Sequence, residues 1–168
     1  MTRLAGWLVV ALVAAGVVFV ATTAGRLPPT VATHFGAGGA ANGWMSRGGY
    51  TVFALALTVV LPLVLYAGFG WLPHRFERFV NLPNRDYWLA ATRREGTIAW
   101  LRAAGTALAI LAALLSIGVH AMILDANAKR PPRLDEPVFL AGLAVFVVGV
   151  VGVTIAVQRK FRRVPARR

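Results

Sequence analysis

His34, in a glycine-rich stretch, and His120, inside an apolar run, are the two side chains placed where proton or metal chemistry could occur. An imidazole can ligate a metal, relay a proton, or only donate and accept hydrogen bonds. Joining both to Asp125 would make an outer metal site, but two isolated histidines in a chain without cysteine fall short of any recognised ligand spacing, so no metal is expected. The absence of cysteine also removes disulfides and thiolate nucleophiles. The six carboxylates are divided by apolar runs into two groups, and the one adjacent pair, Asp135-Glu136, precedes Pro137 on a loop. No HExxH, GxSxG or phosphate loop occurs. These side chains point away from an enzyme, require no cofactor, and leave binding as the chemistry to look for.

Each candidate has a structural reading beside the functional one. His34 either bonds loop carbonyls and fixes its loop, or contacts a ligand. Trp44 is an interface anchor or a recognition platform, since amphipathic rings favour the headgroup level. Arg47 is expected to pair with lipid phosphate or with Asp125, Asp135 or Glu136 of a second loop. His120 shares an i, i+4, i+8 line with Ser116 and Ala112, about one turn from the end of its run, so it should snorkel or hydrogen-bond across helices.

The elements that position these residues follow from composition. Of 168 residues 58% are apolar and 14% charged, with a mean hydropathy of +0.66; soluble domains are nearer 45–50% and 25%. Residues 4–24, 50–72, 103–124 and 138–157 form runs without Asp, Glu, Lys or Arg. Each is long enough to cross a hydrocarbon layer of about 30 Å as a helix, the spanning form that satisfies its own backbone. The expected fold is an all-α integral membrane protein: one four-helix bundle, a single domain over residues 1–168. The first run goes on unbroken from Leu4 to Ala21, too long for the apolar core of a signal peptide, and reads as an anchor.

Orientation follows from Lys and Arg. The N-terminus, residues 73–102 and residues 158–168 hold 13 of the 18, and the other two loops hold 5, so both termini and the middle loop are expected in the cytoplasm. The net charge of +12 is read as this topology signal together with a basic tail near anionic lipid, and not as nucleic-acid binding. Trp7, Trp71 and Trp100 then fall at the inner interface, and Trp44 and Tyr50 at the outer one.

Residues 25–49 should be an ordered outer cap. Two prolines, six glycines from Gly36 to Gly49 and the Asn42-Gly43 step call for tight turns with positive φ. Pro62 should kink the second span. Gly105, Ala109 and Ala113 give the third a small-residue stripe for internal packing or for a homodimer seam. Thr92 and Glu95 have capping-box spacing, so the third helix is expected to begin before the membrane and run through Arg102.

Leu27-Pro28 through Val31, His34-Phe35, Gly36, then Asn42-Gly43-Trp44-Met45-Ser46-Arg47 resemble the signature of bacterial membrane domain-of-unknown-function family 1648, found at the N-terminus of SdpI-type immunity proteins. Asn81-Leu82-Pro83-Asn84-Arg85-Asp86-Tyr87-Trp88 resembles the segment that follows the domain in those proteins. The chain departs from the pattern at Ala32, where proline is common, and at Ala41-Asn42, where Pro-Asp is common. The resemblance implies a cytoplasmic-membrane protein linked to immunity against, or signalling from, a secreted toxic peptide. His34, Phe35, Asn42, Gly43, Trp44 and Arg47 become candidate ligand-binding residues. Asn81, Pro83, Asn84, Asp86, Tyr87 and Trp88 become either turn and cap residues, with both rings against the membrane face, or a surface for a cytosolic regulator. The expected partners are the bilayer, a secreted peptide and such a regulator, with a homo-oligomer left open. The alternative is a structural subunit of a larger membrane complex.

Overall fold

The computed structural model describes residues 2–164. Arg167 and Arg168 of the expected basic tail lie outside the described residues. Four long helices dominate: α1 (Thr2–Thr23), α2 (Arg47–Gly70), α5 (Arg94–Ala128) and α6 (Glu136–Arg162), with the short α3 (Leu72–Arg75) and α4 (Arg85–Trp88) between α2 and α5. All four long helices are long and apolar enough to cross a membrane, so the chain is a multi-pass membrane protein.

Polar residues set the helix starts. The Ser46 hydroxyl accepts the Gly49 N–H at 3.1 Å and opens α2, and the Asp135 carboxylate accepts the Val138 N–H at 3.2 Å and opens α6, with Pro137 in its first turn. Helix α5 runs unbroken through Arg102, as the sequence suggests. The capping box at Thr92 and Glu95 does not form: α5 begins after Arg93 without a side-chain cap. A turn precedes the helix, in which the Ala90 carbonyl accepts the N–H groups of Arg93 and Arg94 at 2.8 and 3.0 Å, so the first N–H of α5 is satisfied by backbone. Pro62 lies buried within an α2 that continues through it.

Helix α5 is the central member, packed against α1, α2 and α6. The stripe of Gly105, Ala109 and Ala113 is an internal seam. A Cβ at Gly105 would collide with Phe69 of α2 and lie 3.2 Å from the Leu65 carbonyl oxygen, and Ala109 and Ala113 are fully buried. Helix α6 leans on α5 and buries only Phe161 among its described residues.

The segment between α1 and α2 is not helical or loop-like throughout; it contains a two-stranded antiparallel hairpin, β1 (Thr30–Phe35) and β2 (Ala41–Ser46), which amends the all-α expectation. The turn is Gly36 to Ala40 and not Asn42-Gly43, which stays within β2 opposite His34. Gly38 and Gly39 supply consecutive positive φ values of 73° and 77°, which side-chain-bearing residues resist. Gly43 has another reason to be glycine: a Cβ there would stand 2.9 Å from the His34 Cβ.

The hairpin and residues 129–135 lie at one end of the bundle. Leu134 donates its N–H to the Gly39 carbonyl at 2.9 Å, and Ala40 bridges to Arg133. The segment from α3 to α4 lies at the other end, against the C-terminus of α6. Each end has its own apolar cluster: Val20, Leu27, Val31, Tyr50, Ala54 and Ile123 beneath the hairpin, and Val80, Leu82, Leu101 and Phe161 at the far end.

Candidate functional site

The hairpin is held to α5 by a residue the sequence reading passed over. Buried Asn127 uses its Oδ1 to accept the Ala32 N–H at 2.8 Å, while its Nδ2 donates to the Ala32 carbonyl at 3.0 Å and to the Ile123 carbonyl at 2.9 Å. One side-chain amide thus stands in for a neighbouring strand at the inner residue of β1. Its signal was present: Ser116, His120, Ile123 and Asn127 follow i, i+4, i+7, i+11 along one face of α5, and all four are buried.

His120, two turns below, joins three helices. The Thr23 hydroxyl donates to the Phe19 carbonyl at 2.5 Å, so it accepts from His120 Nε2 at 2.8 Å, and Tyr50 donates its hydroxyl to Nδ1 at 2.8 Å. One imidazole tautomer, with its hydrogen on Nε2, completes this chain from α2 through α5 to α1. The ring also stacks on Tyr50 and meets Phe19 edge-on. Of the two expectations for His120, the cross-helix bond is realised and snorkelling is not, since 1% of the residue is exposed. Tyr50 accordingly turns inward and does not belong to an outer aromatic belt. Ser116 spends its hydroxyl on the Ala112 carbonyl, 2.8 Å away on its own helix.

The candidate ligand residues divide. His34 and Phe35 share a cavity of about 220 Å³ with Thr33, Met122, Leu134 and Phe139. A groove of about 440 Å³ between α5 and α6 has Val119, Met122 and Phe139 in common with that cavity, so the two adjoin beneath the hairpin. His34 is exposed, and among the described residues its Nδ1 meets only the Thr33 hydroxyl, at 3.3 Å, with no bond to a loop carbonyl. Asn42 and Trp44 lie on β2, both exposed, and do not line the cavity. Arg47 turns from the acids of the other loop and donates to the Gly25 and Leu27 carbonyls at 3.3 and 3.1 Å, because those orphan carbonyls follow α1 directly beside it. The acids themselves are engaged: Glu136 accepts the Gly38 N–H at 3.0 Å, Asp135 caps α6, and Asp125 pairs with Lys129 at 2.6 Å.

At the far end the second block closes α6. Asn84, at a positive φ of 54°, donates from Nδ2 to the Phe161 and Arg162 carbonyls at 3.1 and 3.0 Å, and Trp88 donates from Nε1 to the Phe161 carbonyl at 2.9 Å. These are the carbonyls a helix end leaves without donors. The cap reading of Asn84 therefore holds, but what is capped is a distant helix. Trp88 and Trp100 both pack edge-on against buried Phe161, and both are half-buried. Tyr87 carries the Arg93 guanidinium over its ring at 4.0 Å. Asn81 and Asp86 are exposed, and Pro83 is half-buried.

Residues 11–60 match the family described as "Domain of unknown function (DUF1648)". The matched stretch takes in most of α1, the whole hairpin and the first half of α2. No curated protein and no solved structure matches the chain.

Proposed function

We propose that this protein, whose residues 11–60 match the DUF1648 family, is a non-enzymatic binding module of the bacterial cytoplasmic membrane, one that takes an amphipathic ligand such as a secreted peptide. The observation that carries the reading is the cavity at His34 and Phe35, continued by the apolar groove between α5 and α6. An exposed imidazole at the mouth suits a polar or charged end, and Met122, Leu134 and Phe139 suit an apolar body. The resemblance to SdpI-type immunity proteins supplies the context of protection against a toxic peptide. No cofactor enters this reading. At the far end Asn81 and Asp86 offer the free surface for a cytosolic regulator, since Asn84 and Trp88 are committed to α6.

His34→Ala is expected to weaken ligand binding about tenfold, roughly 1.4 kcal/mol, and so to lower the survival of cells challenged with the secreted peptides of their own species at unchanged membrane abundance, with Phe139→Ala acting in the same direction. Trp44→Ala, outside the cavity, is expected to have the smaller effect. Full protection by His34→Ala would end the cavity assignment.

The module is oriented with the hairpin outside and both termini in the cytoplasm, on the strength of the 13 to 5 division of Lys and Arg. In intact cells an impermeant maleimide should label Ala40→Cys, and should reach Asp86→Cys only after permeabilisation. The opposite pattern would invert the protein.

The second reading, a structural subunit of a larger membrane complex, is favoured by α6, whose apolar residues remain largely uncovered by the rest of the chain. Retention of a multi-span partner through purification, with no change in peptide sensitivity on deletion, would select it.

A further inference from the structure

The cleft between the start of α1, the end of α2 and the early part of α5 has a volume of about 430 Å³ and is lined by Gly6, Trp7, Tyr66, Gly70, Trp71 and Arg102. Arg102 marks the charged edge of the apolar run in α5, and Trp7 and Trp71 stand beside it, 69% and 57% exposed. Two tryptophans and an arginine at one level define a headgroup boundary. Glycines keep the cleft open: a Cβ at Gly6 would stand 2.9 Å from the Tyr66 hydroxyl, and one at Gly70 would stand 3.3 Å from the Arg102 Cγ.

Two polar groups open into this cleft without a protein partner. Among the described residues neither the Arg102 guanidinium nor the Tyr66 hydroxyl makes a hydrogen bond or ion pair, and Arg102 is only partly exposed. Elsewhere at this end Arg85 and Arg94 are engaged with Glu77, and Arg93 with Tyr87. A half-buried guanidinium with several free donors calls for an anion that can accept two of them at once, and a phosphate does so. The cleft lies between three membrane-crossing helices, with Val10 in its lining, so an anion held there is one that carries acyl chains. We infer that Arg102 and Tyr66 bind the phosphate of an anionic phospholipid, with Trp7 and Trp71 flanking its headgroup. An anionic headgroup is preferred because a headgroup cation, as in choline, would be repelled by the Arg102 guanidinium.

Native mass spectrometry of the full chain, purified in mild detergent and titrated with phosphatidylglycerol or phosphatidylcholine, tests this site. The parent should retain one phosphatidylglycerol more tightly than phosphatidylcholine. Arg102→Gln should weaken that retention about five- to tenfold, and Arg102→Lys should restore most of it. Trp71→Ala, at an exposed position, should weaken it less, and Arg75→Gln, outside the cleft, should leave it unchanged. Equal retention by parent and Arg102→Gln would overturn the site. So would an equal loss in Arg75→Gln, which would reduce the effect to net charge, or displacement of the lipid by millimolar inorganic phosphate, which would mean a free anion is the occupant. A circular-dichroism melt of Arg102→Gln matching the parent keeps a lipid loss from being read as misfolding; Tyr66→Phe, which removes one hydroxyl and no charge, gives a second route if that melt is lowered, and unchanged retention in Tyr66→Phe would then count against the site.

Discussion

Asn127→Ala is expected to release the hairpin from the bundle while the four long helices stay assembled. The substitution deletes three buried hydrogen bonds and leaves both the N–H and the carbonyl of Ala32 without partners beneath a fully buried residue. Buried groups stranded in this way cost about 1–3 kcal/mol each, so a local loss of about 2–6 kcal/mol is the expected scale. Amide hydrogen exchange in β1 and β2 should then accelerate on the order of a hundredfold, at about tenfold per 1.4 kcal/mol. Exchange in the middle of α2 and α5 should not change, because the seam between them lies away from Ala32. The cavity at His34 depends on this anchorage, since Thr33, His34 and Phe35 follow Ala32 directly on β1. Ligand protection should therefore fall in Asn127→Ala even though no cavity-lining residue has been changed. Unaltered exchange in β1 would mean that Leu134, Glu136 and the apolar cluster hold the hairpin without Asn127.

Gly105→Ala should destabilise the bundle itself, and by more than its single methyl group suggests. The new Cβ would collide with Phe69 and press on the Leu65 carbonyl oxygen and the Phe69 Cα, of which the last two are backbone atoms that no rotamer change can move aside. Helix α2 must shift bodily, which opens the seam at Ala109 and Ala113; overpacking of this kind costs about 1–3 kcal/mol. Within a bilayer the loss is not recovered by burying apolar surface elsewhere, because lipid is as apolar as the partner helix. Gly152→Ala on α6 is the matched control, since a Cβ there meets nothing within 4 Å. It should be neutral or stabilising by up to about 1 kcal/mol through helix propensity. Thermal unfolding in detergent should separate the two variants by several degrees in Tm, with Gly105→Ala the lower. Equal melting would show that α2 and α5 do not depend on close approach at this level.

The long helices were legible because a bilayer imposes a one-dimensional condition: a run of about twenty residues without charge must satisfy its backbone internally. Residues 4–24, 50–72, 103–124 and 138–157 meet it, and the observed helices cover each run but for short ends at Ala24 and Trp71 to Leu72. Extension of the third helix through Arg102 and close packing along Gly105, Ala109 and Ala113 were also readable, since both depend on spacing within one element. The signature around His34 was specific enough in order and composition for the family of residues 11–60 to be read from it.

Other features depend on which elements meet, and spacing does not encode that. Asn42-Gly43 has the composition of a hairpin turn, yet the turn formed at Gly38-Gly39, where two positive φ values and a backbone approach to Leu134 coincide. Thr92 and Glu95 have the spacing of a cap, yet the turn from Ala90 moves the start of α5 to Arg94, one residue past where that box would place it. Arg47 was drawn to the carbonyls after α1 and not to acids of opposite charge, because those carbonyls lie within its reach. Asn84 and Trp88 cap a helix whose end lies more than seventy residues away in sequence. Tyr50, Thr23 and His120 become one hydrogen-bonded chain only when three helices converge. The sequence determined which segments are helical and apolar, since each segment decides that alone in its solvent; the tertiary structure decided where each polar group finds its partner, since a buried donor takes the nearest acceptor in space whatever its distance along the chain.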